Sequence, residues 1–174
     1  MPSVDTLAST IQLAIFDVDG VMTDASLLFT ETGAELKIFN ALDGHGLKLL
    51  KAGGIRLALL SGRTSTAVNQ RAKDLGFDFV YQGIADKLPV LYSLQAQLGL
   101  SLADMSYMGD DVMDIPLLRR VGFALSVPNA PAIVREQAHY VTKTPGGHGA
   151  VREACELILN AQGKLEPLLA PYFS

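Results

Sequence analysis

Residues 11–24, IQLAIFDVDGVMTD, constrain the fold more than any other segment of the chain. The apolar run IQLAIF stops abruptly at Asp17, Asp19 follows two residues later, and Gly20 closes the turn. An apolar run bounded in this way reads as a buried parallel strand. Carboxylates at the C-terminal mouth of such a strand lie where open α/β sheets hold their ligands. Two acids this close repel each other and resist double ionisation unless a cation is present.

The rest of the chain alternates strand and helix signals with short connections. SLLFTETGAELKIFN (26–40) has two apolar segments flanking Thr32-Gly33, which predicts a β-hairpin. DGHGLKLLKAGG (43–54) reads as a helix closed by glycines, and IRLALLSGR (55–63) as a second buried strand. Thr64 or Ser65 can cap the next helix, STAVNQRAKDLG. FDFVYQG follows as a strand, then DKLPVLYSLQAQLG as a helix that tolerates Pro89 in its first turn. MSYMGDD, VMDIPLLRRVG, FALSVPNA, PAIVREQA, HYVTK and GAVREACELILNAQG complete the series. Repeated βα units predict an α/β fold, a doubly wound, Rossmann-like parallel sheet with helices on both faces.

The expected organisation is one domain over residues 1–174, with a hairpin insertion at about 26–40 and a tail at about 164–174. There is no room between Asp24 and Ser61, or before Lys87, for a separate folded cap, so something else must close the site over a small substrate. The tail KLEPLLAPYFS is too apolar to be idle: it packs on its own subunit or docks on a neighbour. A net charge of −4 argues against general binding to nucleic acid or anionic membrane. The single Cys155 cannot form an internal disulfide, and no signal-peptide or membrane-spanning run is apparent, so a cytoplasmic protein is expected.

In a parallel sheet the strand ends share one edge. That edge gathers Asp17 and Asp19, then Ser61-Gly62-Arg63, Lys87 at a helix start, and Gly109-Asp110-Asp111 with Asp114 beyond. Like charges about 4 Å apart repel by roughly 4 kcal/mol at an effective dielectric of 20. Crowded carboxylates with few basic partners therefore call for a hard divalent cation, Mg²⁺ with oxygen ligands. The chemistry such a set supports is phosphoryl transfer through an aspartyl phosphate. Asp17 would be the nucleophile and Asp19 the acid and base. Ser61, Gly62 and Lys87 would hold the phosphate oxygens. Asp110 would complete the metal site, with Asp111 or Asp114 supporting it from behind. Arg63 could grip a substrate carboxylate bidentately, or pair with Asp43 or another loop acid.

Taken in order, DVDGVMTD, LLSGR, DK and MGDDVMDIP resemble the four motifs of the haloacid dehalogenase-like phosphatases. FNALDGHGLKLL, SGRTSTAVNQRAKDLG and PGGHGAVREACELIL extend the resemblance to the 3-deoxy-D-manno-octulosonate 8-phosphate phosphatases, over residues 10–163. The resemblance implies Asp17 as nucleophile and Asp19 as acid/base. It also implies metal held by Asp17, the Asp19 backbone carbonyl and Asp110, and phosphate contacts from Ser61, Gly62 and Lys87. The substrate implied is a small sugar acid phosphate, used in making lipopolysaccharide precursors. A homotetramer is implied as well, in which hairpins pair and a neighbour's tail covers the site. Leu27, Leu28, Phe29, Ile38 and Phe39 would supply the hairpin contacts, and Leu168 to Phe173 the tail. One departure stands at Ala25, where members of the family often carry Gly.

Other readings weigh less. Asp17-Val-Asp-Gly could open a calcium loop, but its twelfth position is Leu28 where a bidentate glutamate is required. A phosphatase for a nine-carbon keto sugar acid phosphate, or for broader sugar phosphates, would use the same motifs. A catalytically idle assembly module would have shed Asp17, Asp19 or Lys87, and all three are present. His45, His139 and His148 lack ligand spacing, although His148 in its glycine turn could reach a substrate. Cys155 lies on the apolar face of the last long helix and reads as core.

Overall fold

The computed structural model describes residues 2–173; the terminal residues of the expected 1–174 domain lie outside the described residues. A short helix α1 (Val4–Ala8) precedes β1 (Leu13–Phe16), and β2 (Leu28–Phe29) and β3 (Glu35–Leu36) form the hairpin. There follow α2 (Ala41–Ala52), β4 (Arg56–Leu60), α3 (Thr66–Leu75), β5 (Phe79–Tyr81), α4 (Leu88–Leu98) and β6 (Met105–Met108). The chain continues through a 3₁₀ turn (Val112–Asp114), α5 (Ile115–Leu118), β7 (Phe123–Ser126) and α6 (Ala132–Arg135). It ends with β8 (Tyr140–Val141), α7 (Ala150–Ala161), α8 (Leu165–Leu169) and a last 3₁₀ segment (Ala170–Phe173).

Six strands form one parallel sheet in the order β5-β4-β1-β6-β7-β8, flanked by helices. The expected parallel α/β architecture is therefore present. β1, β6 and β7 are buried along their whole lengths, as apolar strands covered on both faces must be. The chain runs outward from β1 through β4 to β5 and then returns to β6 on the other side of β1. The strand order thus reverses between β1 and β6, where this class of sheet opens a crevice. Phe16 pairs with Met108, so Asp17 and Gly109-Asp110 leave the sheet side by side at that crevice.

Helix α7 buries Ala150, Val151, Ala154, Cys155, Ile158 and Leu159, one face of a 3.6-residue period, against α2 and α1. Each large apolar side chain so buried contributes about 1.5–3 kcal/mol. Cys155 is core, as its place in the pattern predicts. Among the described residues no helix is long and apolar enough to cross a membrane.

Several expectations need adjustment. α1 went unread because five residues carry too little periodicity. Ser65 does occupy the cap position of α3, but its side chain makes no capping bond; Gln82 Oε1 accepts from its backbone N–H at 2.8 Å instead. The hairpin is shorter than residues 26–40, with two paired residues per strand. The tail divides in two. Leu165, Leu168 and Leu169 of α8 pack on the chain's own core, whereas Tyr172 and Phe173 stay exposed.

Candidate active site

Asp17, Asp19, Ser61, Gly62, Arg63, Lys87, Asp110, Asp111 and Asp114, all read from sequence, line one cavity of about 220 Å³ together with Ala25 and Met113. Strand register explains the convergence. Asp17 N donates to Met108 O at 3.0 Å, and Gly109 N to Leu125 O at 3.2 Å, so the sheet ladder holds both acidic loops to its edge. Ser61 follows β4, its N–H donating to Tyr81 O at 2.9 Å and its Oγ accepting from Arg63 N at 3.2 Å. The hydroxyl is thereby fixed beside Gly62, which is open enough to receive a ligand.

Lys87 stands at the mouth of α4 and is buried. Its Nζ lies 2.9 Å from Asp17 Oδ1 and 2.7 Å from Asp114 Oδ1. Burial works to lower the pKa of Lys87, but the two carboxylates outweigh it and the ammonium is held above its ordinary range.

Asp114 is fully engaged. Its Oδ1 accepts from Lys87 and, at 2.5 Å, from the Tyr107 hydroxyl; its Oδ2 accepts from Asp110 N at 2.9 Å and Asp111 N at 3.1 Å. This carboxylate therefore braces both Lys87 and the Asp110 loop from behind. Asp111 caps the 3₁₀ turn through Val112 N and is exposed. Of the two supporting acids, Asp114 is the one that touches everything around it. Tyr107, fully buried in β6, also accepts from Lys87 at 3.0 Å. Sequence reading missed Tyr107; the only signal was a hydroxyl inside an otherwise apolar strand, which must find a partner.

The acids are out of balance with the bases. Burial, then Asp17, Asp114 and Asp111, push the Asp110 carboxyl up to about 8. Burial, with Asp114 adding to it against Lys87, pushes Asp17 up to about 6. Carboxylate oxygens of Asp17, Asp110 and Asp114 lie within 4.8 Å of one another. Such a surplus of hard oxygen donors fits a divalent cation of the Mg²⁺ type. Because Asp114 already spends its lone pairs on hydrogen bonds, Asp17 and Asp110 are the side chains left to ligate.

Gly20 makes the close approach possible. Its φ is +87°, and a Cβ there would lie 1.9 Å from Asp110 Oδ2. Gly146 touches the same residue from another direction, its would-be Cβ only 1.8 Å from Gly20 O, while Gly147 N donates to Val21 O at 3.0 Å. The glycine turn is thus pressed against the loop that follows Asp17. His148 itself is exposed and does not line the cavity. Ala25 carries a φ of 69°, the one positive value at a non-glycine among the described residues. The departure noted in sequence falls on a backbone position that favours glycine.

Arg63 does not pair with Asp43. Asp43 Oδ1 accepts from Arg152 N at 2.8 Å and caps α7 from α2 instead. The partner of Arg63 is Glu35 of the hairpin, with Asp19 Oδ2 4.0 Å from its Nε. Lys37, also from the hairpin and unread in sequence, donates to Asp19 Oδ1 at 2.5 Å.

A haloacid dehalogenase-like hydrolase profile matches residues 79–153. The 3-deoxy-D-manno-octulosonate 8-phosphate phosphatase KdsC of Yersinia pestis is 43% identical over 159 residues, 91% of this chain and 85% of that one. The crystal structure of the enzyme of that name from Moraxella catarrhalis, in complex with magnesium, phosphate and KDO, superimposes with a TM-score of 0.95. It shares 42% identity and covers 97% of each chain. A probable YrbI family phosphatase from Pseudomonas syringae pv. phaseolica gives a TM-score of 0.97 at 49% identity, over 98% of this chain and 97% of that one. With its strand-end acids gathered as they are, the chain belongs to the haloacid dehalogenase-like hydrolases, in the family of 3-deoxy-D-manno-octulosonate 8-phosphate phosphatases.

Proposed function

We propose that the chain is a Mg²⁺-dependent phosphomonoesterase that releases inorganic phosphate from 3-deoxy-D-manno-octulosonate 8-phosphate, in lipopolysaccharide precursor synthesis. The observation that carries this reading is the junction of Asp17, Asp110 and Lys87 at the β1/β6 crevice, in a chain 43% identical to a phosphatase of that name. Asp17 is the nucleophile and attacks phosphorus to form an aspartyl phosphate. Asp19 protonates the departing sugar hydroxyl, then takes a proton from the water that hydrolyses the intermediate. Lys87, Ser61 and the Gly62 backbone hold the phosphate oxygens as charge spreads in the transition state. Asp17, Asp110 and the Asp19 carbonyl would hold Mg²⁺, which would supply screening of the repulsion between the anionic ester and the Asp17 carboxylate. Asp114 keeps Lys87 and the Asp110 loop in place, and Arg63 takes the substrate carboxylate once Glu35 yields it.

On the hairpin, Leu27, Leu28, Phe29, Leu36 and Ile38 are exposed. An isolated two-stranded hairpin cannot cover both of its faces. A homotetramer with paired hairpins, and a neighbour's Tyr172 and Phe173 over the site, accounts for these apolar residues. The lone Cys155 suits the reducing cytoplasm, which we propose as the working compartment.

A panel of eight- and nine-carbon keto sugar acid phosphates, assayed for released phosphate with and without EDTA, tests the assignment. The eight-carbon ester should be turned over best and only with Mg²⁺. Asp17→Asn should abolish release while leaving the melting transition in place, and retained turnover would remove Asp17 as nucleophile. A monomeric mass by light scattering at assay concentration would count against the tetramer.

A further inference from the structure

The hairpin delivers charge to the cavity mouth in strict alternation. Leu36 and Ile38 are exposed, whereas Glu35 and Lys37 between and beside them turn to the site. Lys37 Nζ lies 2.5 Å from Asp19 Oδ1 and 2.6 Å from Glu35 Oε1, and its side chain is 2% exposed. Arg63 bonds the other Glu35 oxygen and approaches Asp19 Oδ2, so the four side chains close a ring of alternating sign. Burying an ammonium and freezing its four-carbon stem is costly. A surface hairpin gains little from an ordinary ion pair. The cost is understandable if the lysine holds something that must not move.

We propose that Lys37 is the positioning residue of the acid/base carboxylate: by bonding Oδ1 it fixes the Asp19 rotamer so that Oδ2 faces the bridging oxygen of the phosphate ester. This rests on the assignment of Asp19 given above. In the first step the Asp17–phosphorus bond forms and the phosphorus–oxygen bond to the alcohol breaks. The departing oxygen takes the proton carried on Asp19 Oδ2. In the second step water attacks the aspartyl phosphate, its proton passes to Oδ2, and Asp17 leaves as carboxylate. Lys37 keeps its own proton throughout, because Oδ1 accepts its hydrogen bond in both states of Asp19. The hairpin is in this way part of the catalytic geometry as well as an apolar surface.

The test is a series of aryl phosphates of similar shape (4-nitrophenyl, phenyl and 4-methoxyphenyl), whose leaving groups need a proton to increasing degrees. Lys37→Met should lower kcat/KM for the phenyl and 4-methoxyphenyl esters by about 10–100-fold. For 4-nitrophenyl phosphate, whose leaving group departs without help, the loss should stay within about threefold. Lys37→Arg, which restores a donor, should recover most of the difference, and Lys37→Gln guards against a variant that folds poorly. A loss of equal size across the series, or no loss, overturns the proposal and leaves Lys37 as a fastener of the hairpin. Asp19→Asn run on the same series separates the two ideas. If it steepens the leaving-group dependence and Lys37→Met does not, the positioning role alone fails. If Asp19→Asn shows no such dependence, the assignment of Asp19 as acid fails first.

Discussion

Gly20→Ala probes the cation cradle without touching a charged group. The substitution has two costs. At φ +87° an L side chain sits in left-handed backbone, which costs about 1–2 kcal/mol. The new methyl would also lie 1.9 Å from Asp110 Oδ2 and 2.4 Å from its Cγ. Ordinary carbon–oxygen contact requires the carboxylate to retreat by about 1.5 Å. Metal sites tolerate errors of only about 0.2 Å in ligand distance, and Mg²⁺ is stricter than most cations about its octahedron. Half-saturating Mg²⁺ for phosphate release should therefore rise by about 10–100-fold, the range found when a ligand loses its support. The melting temperature should fall by about 2–8 °C, from 1–2 kcal/mol in a chain of this size. The assay is a Mg²⁺ titration of turnover beside thermal denaturation in EDTA. A variant that melts lower but keeps the parental Mg²⁺ dependence would refute the claim that Gly20 is small in order to admit Asp110.

Tyr107→Phe removes the hydroxyl that joins Lys87 to Asp114 inside the sheet, and leaving those buried groups short of a partner costs about 1–3 kcal/mol. Its inhibition constant for inorganic phosphate should weaken along with stability; unchanged phosphate affinity would show that Lys87 needs no help from β6. Stability without Mg²⁺ should rise as pH falls. Folded Asp110 and Asp17 hold protons at about 8 and about 6, above their unfolded values, so the folded form gains as pH drops through that window. Melting in EDTA between pH 9 and pH 5 checks this, and Mg²⁺ should flatten or reverse the slope. Ala25→Gly should raise the melting temperature slightly or leave it unchanged, with turnover kept, since relief of left-handed strain offsets the greater freedom of unfolded glycine.

The strand-end acids were legible because their signal is local: an apolar run, an abrupt carboxylate and a glycine turn lie within a few residues of one another. The order of the motifs then placed them on one edge, and the cavity contains every residue so chosen. What stayed hidden depended on distance along the chain. Glu35 and Lys37 look like a solvated strand edge until the hairpin folds back over Asp19 and Arg63. Tyr107 reads as one more bulky strand residue until Asp114 and Lys87 arrive beside it. Asp43 was a reasonable partner for Arg63, but the backbone of α7, more than a hundred residues later, claims it first. α1 has a single buried residue, and the α7 surface that receives it is equally remote in sequence.

Gly20 is clamped from two directions, by the Asp110 carboxylate and by the backbone of Gly146, with no side chain between to yield. Such a stack behaves like a feeler gauge with no slack: thickening either outer layer shifts the middle one. Changes in the 145–147 turn, whose side chains do not line the cavity, should therefore register as altered cation affinity before they register as misfolding.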